Sequence, residues 1–138
     1  MKNPMLTVAL LAVGLIVIPA YAQRGGGVQA QIPFSFAVSG KTFPAGTYTM
    51  VAASHLLKIE DGNGRIVAFL LTNEVSGRPV GQNGEIIFHC YGYRCFLAEV
   101  WSPTEENGRQ LPTPRMEADL QKRQRETYFA VLGEKPTR

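Results

Sequence analysis

Cys90 and Cys95, the chain's only cysteines, say most about possible chemistry. Taken as partners across a hairpin with Tyr91-Gly92-Tyr93-Arg94 as its loop, their Cα atoms would lie about 4.5 Å apart, within reach of a disulfide. In an oxidising compartment a Cys90–Cys95 bridge is the expectation; two buried thiols are the alternative, reached if the register slips by one residue. The C-x4-C spacing matches no redox motif, and no predicted helix N-terminus lies beside it to stabilise a thiolate. Zinc fails on count, because Cys90, Cys95 and His89 are three possible ligands spread over two faces. Neither a metal nor another cofactor is expected.

Catalysis needs a positioned nucleophile, base or metal, and the remaining titratable residues do not group. His89 lies in an apolar stretch and reads as a satisfied core or interface residue rather than a general base. His55 sits beside a turn and should be exposed. Asp61-Gly62-Asn63-Gly64 begins like a calcium loop but lacks the following alternate acidic residues and the late glutamate, so turn chemistry accounts for it. Glu99 could be a carboxylate of raised pKa, unless Arg65 or Arg94 pairs with it and makes it structural. Glu105-Glu106 reads as a solvated loop pair. No phosphate loop, nucleophile elbow or zinc signature occurs, and the chain is expected not to be an enzyme. Tyr91, Tyr93 and Arg94 cluster at the hairpin tip, a combination suited to a recognition surface. The alternative has the tyrosines packing over the edge of the core.

The elements that would hold these residues follow a period of two from Ile32 onward. Phe34, Phe36 and Val38 alternate with small residues up to a reversal at Ser39-Gly40. Pro44-Ala45-Gly46 turns the chain into Thr47–Val51, with Tyr48 and Met50 on one face. Leu56–Ile59 and Arg65–Leu71 pair across Asp61–Gly64. Asn73–Gly84 reads as a polar loop, and Glu85–Trp101 as the central hairpin. With Cys90 opposite Cys95, strict alternation pairs His89 with Phe96, Phe88 with Leu97, Ile87 with Ala98 and Ile86 with Glu99. Both hairpin faces are largely apolar, so it should be the most buried of the domain. Ser102–Gly108 reads as a loop. Thr113-Pro114 suits the cap and first turn of a helix over 114–126, with Met116 and Leu120 as a narrow apolar stripe. Residues 127–132 could be a final strand or more helix. The expected fold is all-β, or β-rich with one C-terminal helix: a single antiparallel β-sandwich or small barrel over residues 32–132.

Outside that domain, residues 23–31 contain three consecutive glycines and read as a flexible lead-in, and 133–138 as a tail. Met5–Ile18 is an uncharged apolar run between Lys2 and Pro19, followed by Ala20-Tyr21-Ala22, so residues 1–22 read as a signal peptide. An uncleaved anchor is the alternative, though the run is short for a membrane span. No stable span is expected after cleavage, and the protein is expected to be exported, to the periplasm or beyond the cell. The whole chain has 138 residues, 45% of them hydrophobic, and a net charge of +3. That size and balance exclude a multidomain enzyme, a coiled coil and a polytopic membrane protein, and they give no field that would draw nucleic acid.

Ile32-Pro33-Phe34-x-Phe36-x-Val38 followed by Gly40-Lys41-Thr42-Phe43-Pro44-Ala45-Gly46-Thr47-Tyr48 resembles the opening of a group of small exported bacterial proteins of unknown function. Phe88-His89-x-Tyr91-Gly92, Phe96-Leu97-Ala98-Glu99-Val100-Trp101 and Arg109-Gln110-Leu111-Pro112 are similar to that group as well. The likeness runs from about Gln31 to Arg123 and implies an exported, β-rich single domain with no assigned activity. Positions 90 and 95 are often not cysteine in the group, so a disulfide would be particular to this chain. The expected function is non-enzymatic binding or self-assembly, with copies of itself or with cell-envelope components. The alternative is a carrier of a small apolar ligand in the barrel interior. A hydrolase would need His89 and Glu99 in one cleft, and strict alternation places them on opposite faces of the hairpin.

Overall fold

The computed structural model describes residues 27–77 and 83–136. The predicted signal peptide at 1–22 and the stretch 78–82 of the polar loop lie outside the described residues. Eleven strands and one short helix follow in order: β1 (Val28–Ile32), β2 (Phe36–Val38), β3 (Lys41–Phe43), β4 (Gly46–Ala53), β5 (Leu56–Glu60), β6 (Ile66–Leu71), β7 (Asn73–Val75), β8 (Gly84–Tyr91), β9 (Arg94–Trp101), β10 (Gly108–Gln110), α1 (Arg115–Gln121) and β11 (Thr127–Gly133). One sheet has the order β1-β4-β5-β6; the other runs β11-β8-β9-β10-β7, with the β2–β3 hairpin joined in parallel to β9. The expected β-rich fold with one C-terminal helix is what forms, a two-layer sandwich that closes towards a small barrel.

Local chemistry explains the reversals. Ser39 and Gly40 both take positive φ, 48° and 79°, as a tight two-residue hairpin turn requires. Asp61 turns the β5–β6 hairpin by accepting the backbone N–H of Asn63 at 2.9 Å and of Arg65 at 3.0 Å through Oδ1, which is turn chemistry. In β4 the side chains of Tyr48 and Met50 point inward as alternation predicts, and the Tyr48 hydroxyl donates to the Pro44 carbonyl at 2.7 Å. Phe36 packs edge-on against Tyr48 and Phe88, with centroids 5.1 and 5.3 Å away. Burying each such ring contributes about 1.5–3 kcal/mol. These rings, with Ile32, Leu57, Ile59 and Ile86, fill the space between the sheets.

The sheets meet along two seams. At one, the chain passes from β6 to β7 through buried Thr72, whose N–H and hydroxyl both donate to the His55 carbonyl, at 2.8 and 3.1 Å. At the other, Gln29 and Glu134 exchange two backbone hydrogen bonds of 2.8 Å.

Several boundaries correct the sequence-based expectations. Residues 28–31 are not part of a flexible lead-in: with Ile32 they form β1, paired along its length with β4, and Val28 is fully buried. Likewise the tail does not begin at 133, since Gly133 ends β11 and Glu134 holds the seam. The helix does not reach 126 and stops at Gln121, because two apolar residues give too little burial to extend it and the chain must turn to enter β11. Residues 127–132 are strand, paired in register with β8. Short strand β7 lies in the stretch read as a polar loop, β10 begins at Gly108 where the Ser102–Gly108 loop ends, and the two pair with each other.

The central hairpin forms with one change. Cys90 pairs with Cys95, His89 with Phe96 and Phe88 with Leu97, as alternation predicts. A bulge then takes up Ala98, so that Ile87 faces Glu99 and Ile86 faces Val100. Strict pairing would have aimed Glu99 into the core; the bulge turns it outward and puts Val100 inside, which avoids burying a carboxylate among apolar groups.

Candidate functional site

The inner face of β8 belongs to the core, and its outer face carries His89 and Tyr91. Helix α1 and the turn into β11 cover this outer face. The helix docks in an unexpected way. Of the two residues in its predicted apolar stripe, Met116 is 55% exposed and Leu120 half-buried, whereas Glu117, outside the stripe, is only 3% exposed. Glu117 Oε1 lies 3.1 Å from His89 Nδ1 and accepts the Tyr91 hydroxyl at 3.1 Å. Glu126, one residue before β11, brings its own Oε1 to 2.9 Å from the same nitrogen. Tyr128, the register partner of His89, stands edge-on to the imidazole with centroids 4.8 Å apart and fixes its plane.

The result is one imidazole nitrogen facing two carboxylate oxygens, with the three donor atoms within 4.8 Å of one another. Nδ1 carries at most one proton and cannot give each carboxylate a full hydrogen bond. Glu126 Oε1 is buried and takes no hydrogen bond among the described residues. Burial pushes the Tyr91 phenol up to about 12; the neighbouring charges of Glu117 and Glu126 add to this, and a hydrogen bond with Gln121 acts against it. Tyr91 is therefore a neutral hydrogen-bond donor to Glu117 at physiological pH.

The residues singled out in the sequence are distributed over several places. Cys90 and Cys95 form the expected disulfide, with Cα atoms 4.1 Å apart. Tyr91 is buried under the helix and does not belong to an open recognition surface. Tyr93 is 94% exposed at the hairpin tip. Arg94 reaches back to Met116 Sδ at 3.7 Å. Tyr93 and Arg94 do line a shared surface cleft of about 350 Å³ with Phe36, Thr42, Pro114 and Met116. Glu99 pairs with neither Arg65 nor Arg94 and instead accepts the Trp101 indole N–H at 2.9 Å. The bulge places Glu99 on the same side of the hairpin as His89, yet each carboxylate that meets His89 comes from the C-terminal third. His55 is exposed. The site built on His89, Glu117 and Glu126 was missed by sequence reasoning, which weighed only the two cysteines and Glu99 as companions for His89. A signal was present: a strand at 127–132 laid against 86–90 brings Glu126 to the end of β8.

A second surface feature lies on the other sheet. Leu56 faces Leu71 and Lys58 faces Phe69 on the outer side of the β5–β6 hairpin, and a bulge near Ile59 puts Ile66 opposite Glu60 on that side too. Leu56, Ile66, Phe69 and Leu71 are all exposed, Phe69 at 61% and Leu71 at 71%. β6 is the last strand of its sheet. Among the described residues, no helix is long and apolar enough to cross a membrane.

Compared with known proteins, the chain matches no family model, no curated protein and no solved structure.

Proposed function

We propose that this is an exported, non-enzymatic β-domain that works by self-assembly. The observation that carries this reading is the apolar outer face of the β5–β6 hairpin, where Leu56, Ile66, Phe69 and Leu71 stand in water beside an edge strand. An edge strand offers main-chain N–H and C=O groups to another strand, and soluble proteins usually blunt such edges with charge or cover. Here two leucines, an isoleucine and a phenylalanine flank the edge, with Lys58 and Glu60 bridged to each other at 2.9 Å. A second copy related by a twofold axis would pair β6 with β6 antiparallel, extend the sheet from four strands to eight and set the two apolar outer faces side by side as one continuous surface.

Export supports the same reading. The Cys90–Cys95 disulfide persists in oxidising compartments, and residues 1–22 have the pattern of a secretory leader. The residues that could have served as catalytic acids or bases have local partners: Glu99 holds the Trp101 indole, and His89 meets Glu117 and Glu126.

Size-exclusion chromatography with light scattering tests the proposal. The protein should show concentration-dependent dimers or larger species, and Phe69→Lys, which places a charge on the edge, should be monomeric and equally well folded. A wild-type monomer at every concentration that no cell-envelope fraction retains would end this reading.

A further inference from the structure

We propose that His89, Glu117 and Glu126 form a binding site for one divalent transition metal of the zinc class, which ties helix α1 and the start of β11 to β8. The geometry is that of a ligand set. Nδ1 of His89 is 3.1 Å from Glu117 Oε1 and 2.9 Å from Glu126 Oε1. Metal–ligand bonds of about 2.0–2.2 Å place neighbouring ligand atoms about 2.8–3.6 Å apart for angles between 90° and the tetrahedral value. Two edges of the triangle already meet this requirement. The third, at most 4.8 Å, closes by rotation of the Glu126 carboxylate, the most exposed of the three side chains.

Charge leads to the same conclusion. Two carboxylates around one imidazole leave a net negative charge whichever way the ring is protonated, unless a carboxyl holds a proton. Glu117 is almost wholly buried, and burying unbalanced charge is costly. A divalent cation with two carboxylates and a neutral imidazole sums to zero. It would also give Glu126 Oε1, buried and without a hydrogen bond among the described residues, a partner that Nδ1, bonded to Glu117, does not supply.

The surroundings are those of a supported ligand set. The Tyr91 hydroxyl donates to Glu117 Oε1, and Tyr128 sets the imidazole plane, so two of the three ligands are oriented from behind. One nitrogen and two oxygens suit zinc or manganese, with water completing the shell on the side where His89 and Glu126 are partly exposed. Magnesium and calcium prefer oxygen alone and would gain nothing from His89.

The purified protein, stripped with a chelator, should bind one zinc ion per chain in calorimetric titration, and zinc should raise its thermal midpoint. His89→Ala and Glu126→Gln should each weaken zinc binding at least about tenfold and abolish the thermal shift, whereas His55→Ala should leave both unchanged. Glu117→Gln tests the buried ligand; should it fail to fold, the two partly exposed ligands carry the test. Cobalt substitution should give visible absorption that His89→Ala removes. Absence of stoichiometric zinc binding, zinc binding unaltered by His89→Ala and Glu126→Gln, or magnesium binding as tight as zinc would each overturn the proposal.

Discussion

At Gly133 the two sheets are in close contact. This residue ends β11, pairs with Gly84 of β8, and together with it forms a notch that Val28 of β1 occupies. A Cβ placed on Gly133 would lie 2.3 Å from Val28 Cγ2 and 3.1 Å from the Gln29 carbonyl; one placed on Gly84 would lie 2.6 Å from the same Val28 methyl. Real carbon atoms do not approach so closely, so Gly133→Ala must displace a buried residue or part the seam. Overpacking of this kind costs about 1–3 kcal/mol. Reduced freedom of the unfolded chain returns about 0.4–1 kcal/mol. The net expectation is a loss of about 1–2 kcal/mol, which urea unfolding followed by the fluorescence of Trp101, the only tryptophan, can measure. Val28→Ala alone should lose about 2 kcal/mol through two missing methyl groups and the gap left behind. Combined, the substitutions relieve one another, because the Val28 methyl that the added Cβ would strike is then absent. The double variant should therefore be more stable than additivity predicts by about 1 kcal/mol, a coupling well above the scatter for independent sites. A neutral Gly133→Ala, or losses that add within about 0.3 kcal/mol, would refute the idea that residues 28–32 are locked into the fold through this notch.

Other outcomes follow from particular contacts. Removing the disulfide with Cys90→Ala plus Cys95→Ala should destabilise the protein by about 2 kcal/mol or less, since only a short loop is closed; chemical denaturation with and without reductant measures it. The Tyr91 phenol, raised from 10.0 to about 12, is neutral in both folded and unfolded chains below pH 10. Its contribution is therefore fully present there and is lost as pH rises from 10 through 12, where the unfolded chain ionises first; ultraviolet titration should show late-ionising phenols, since burial raises Tyr48 as well, and Tyr91→Phe should remove one of them. Phe69→Ser should change stability by no more than about 0.5 kcal/mol in denaturant, because its ring already lies in water.

The β framework was legible because its signals are local. Alternation placed Tyr48 and Met50 inside, Asp61 and Ser39-Gly40 turned the chain where their types permit it, and the cysteines set the pairing at the tip of the central hairpin. What was not legible depends on distant partners. Val28–Gln31 has a glycine-rich flank and little hydrophobic pattern, and becomes a strand only because β4 and the Gly84–Gly133 notch receive it. The bulge at Ala98 answers a tertiary demand, since only a folded core makes an inward Glu99 costly. Thr127–Gly133 could be resolved as strand only by the free edge of β8 that it covers.

The same reasoning explains why the His89 site was invisible in the sequence. Pattern reading assigns a helix's buried face from its apolar residues, and by that rule Met116 and Leu120 should dock α1. The helix instead buries a carboxylate, because what lies beneath it is a histidine and a tyrosine hydroxyl on the outer face of β8, polar groups that an apolar stripe would leave unsatisfied. Glu117 satisfies both, and with Glu126 beside it the requirement passes from hydrogen bonding to charge. The C-terminal third thus relies on polar contacts where a longer helix would rely on hydrophobic area, and its hold on β8 should depend on whatever balances those two carboxylates. The apolar surface that an ordinary domain would bury is left instead on the β5–β6 hairpin, where it is free to meet another molecule.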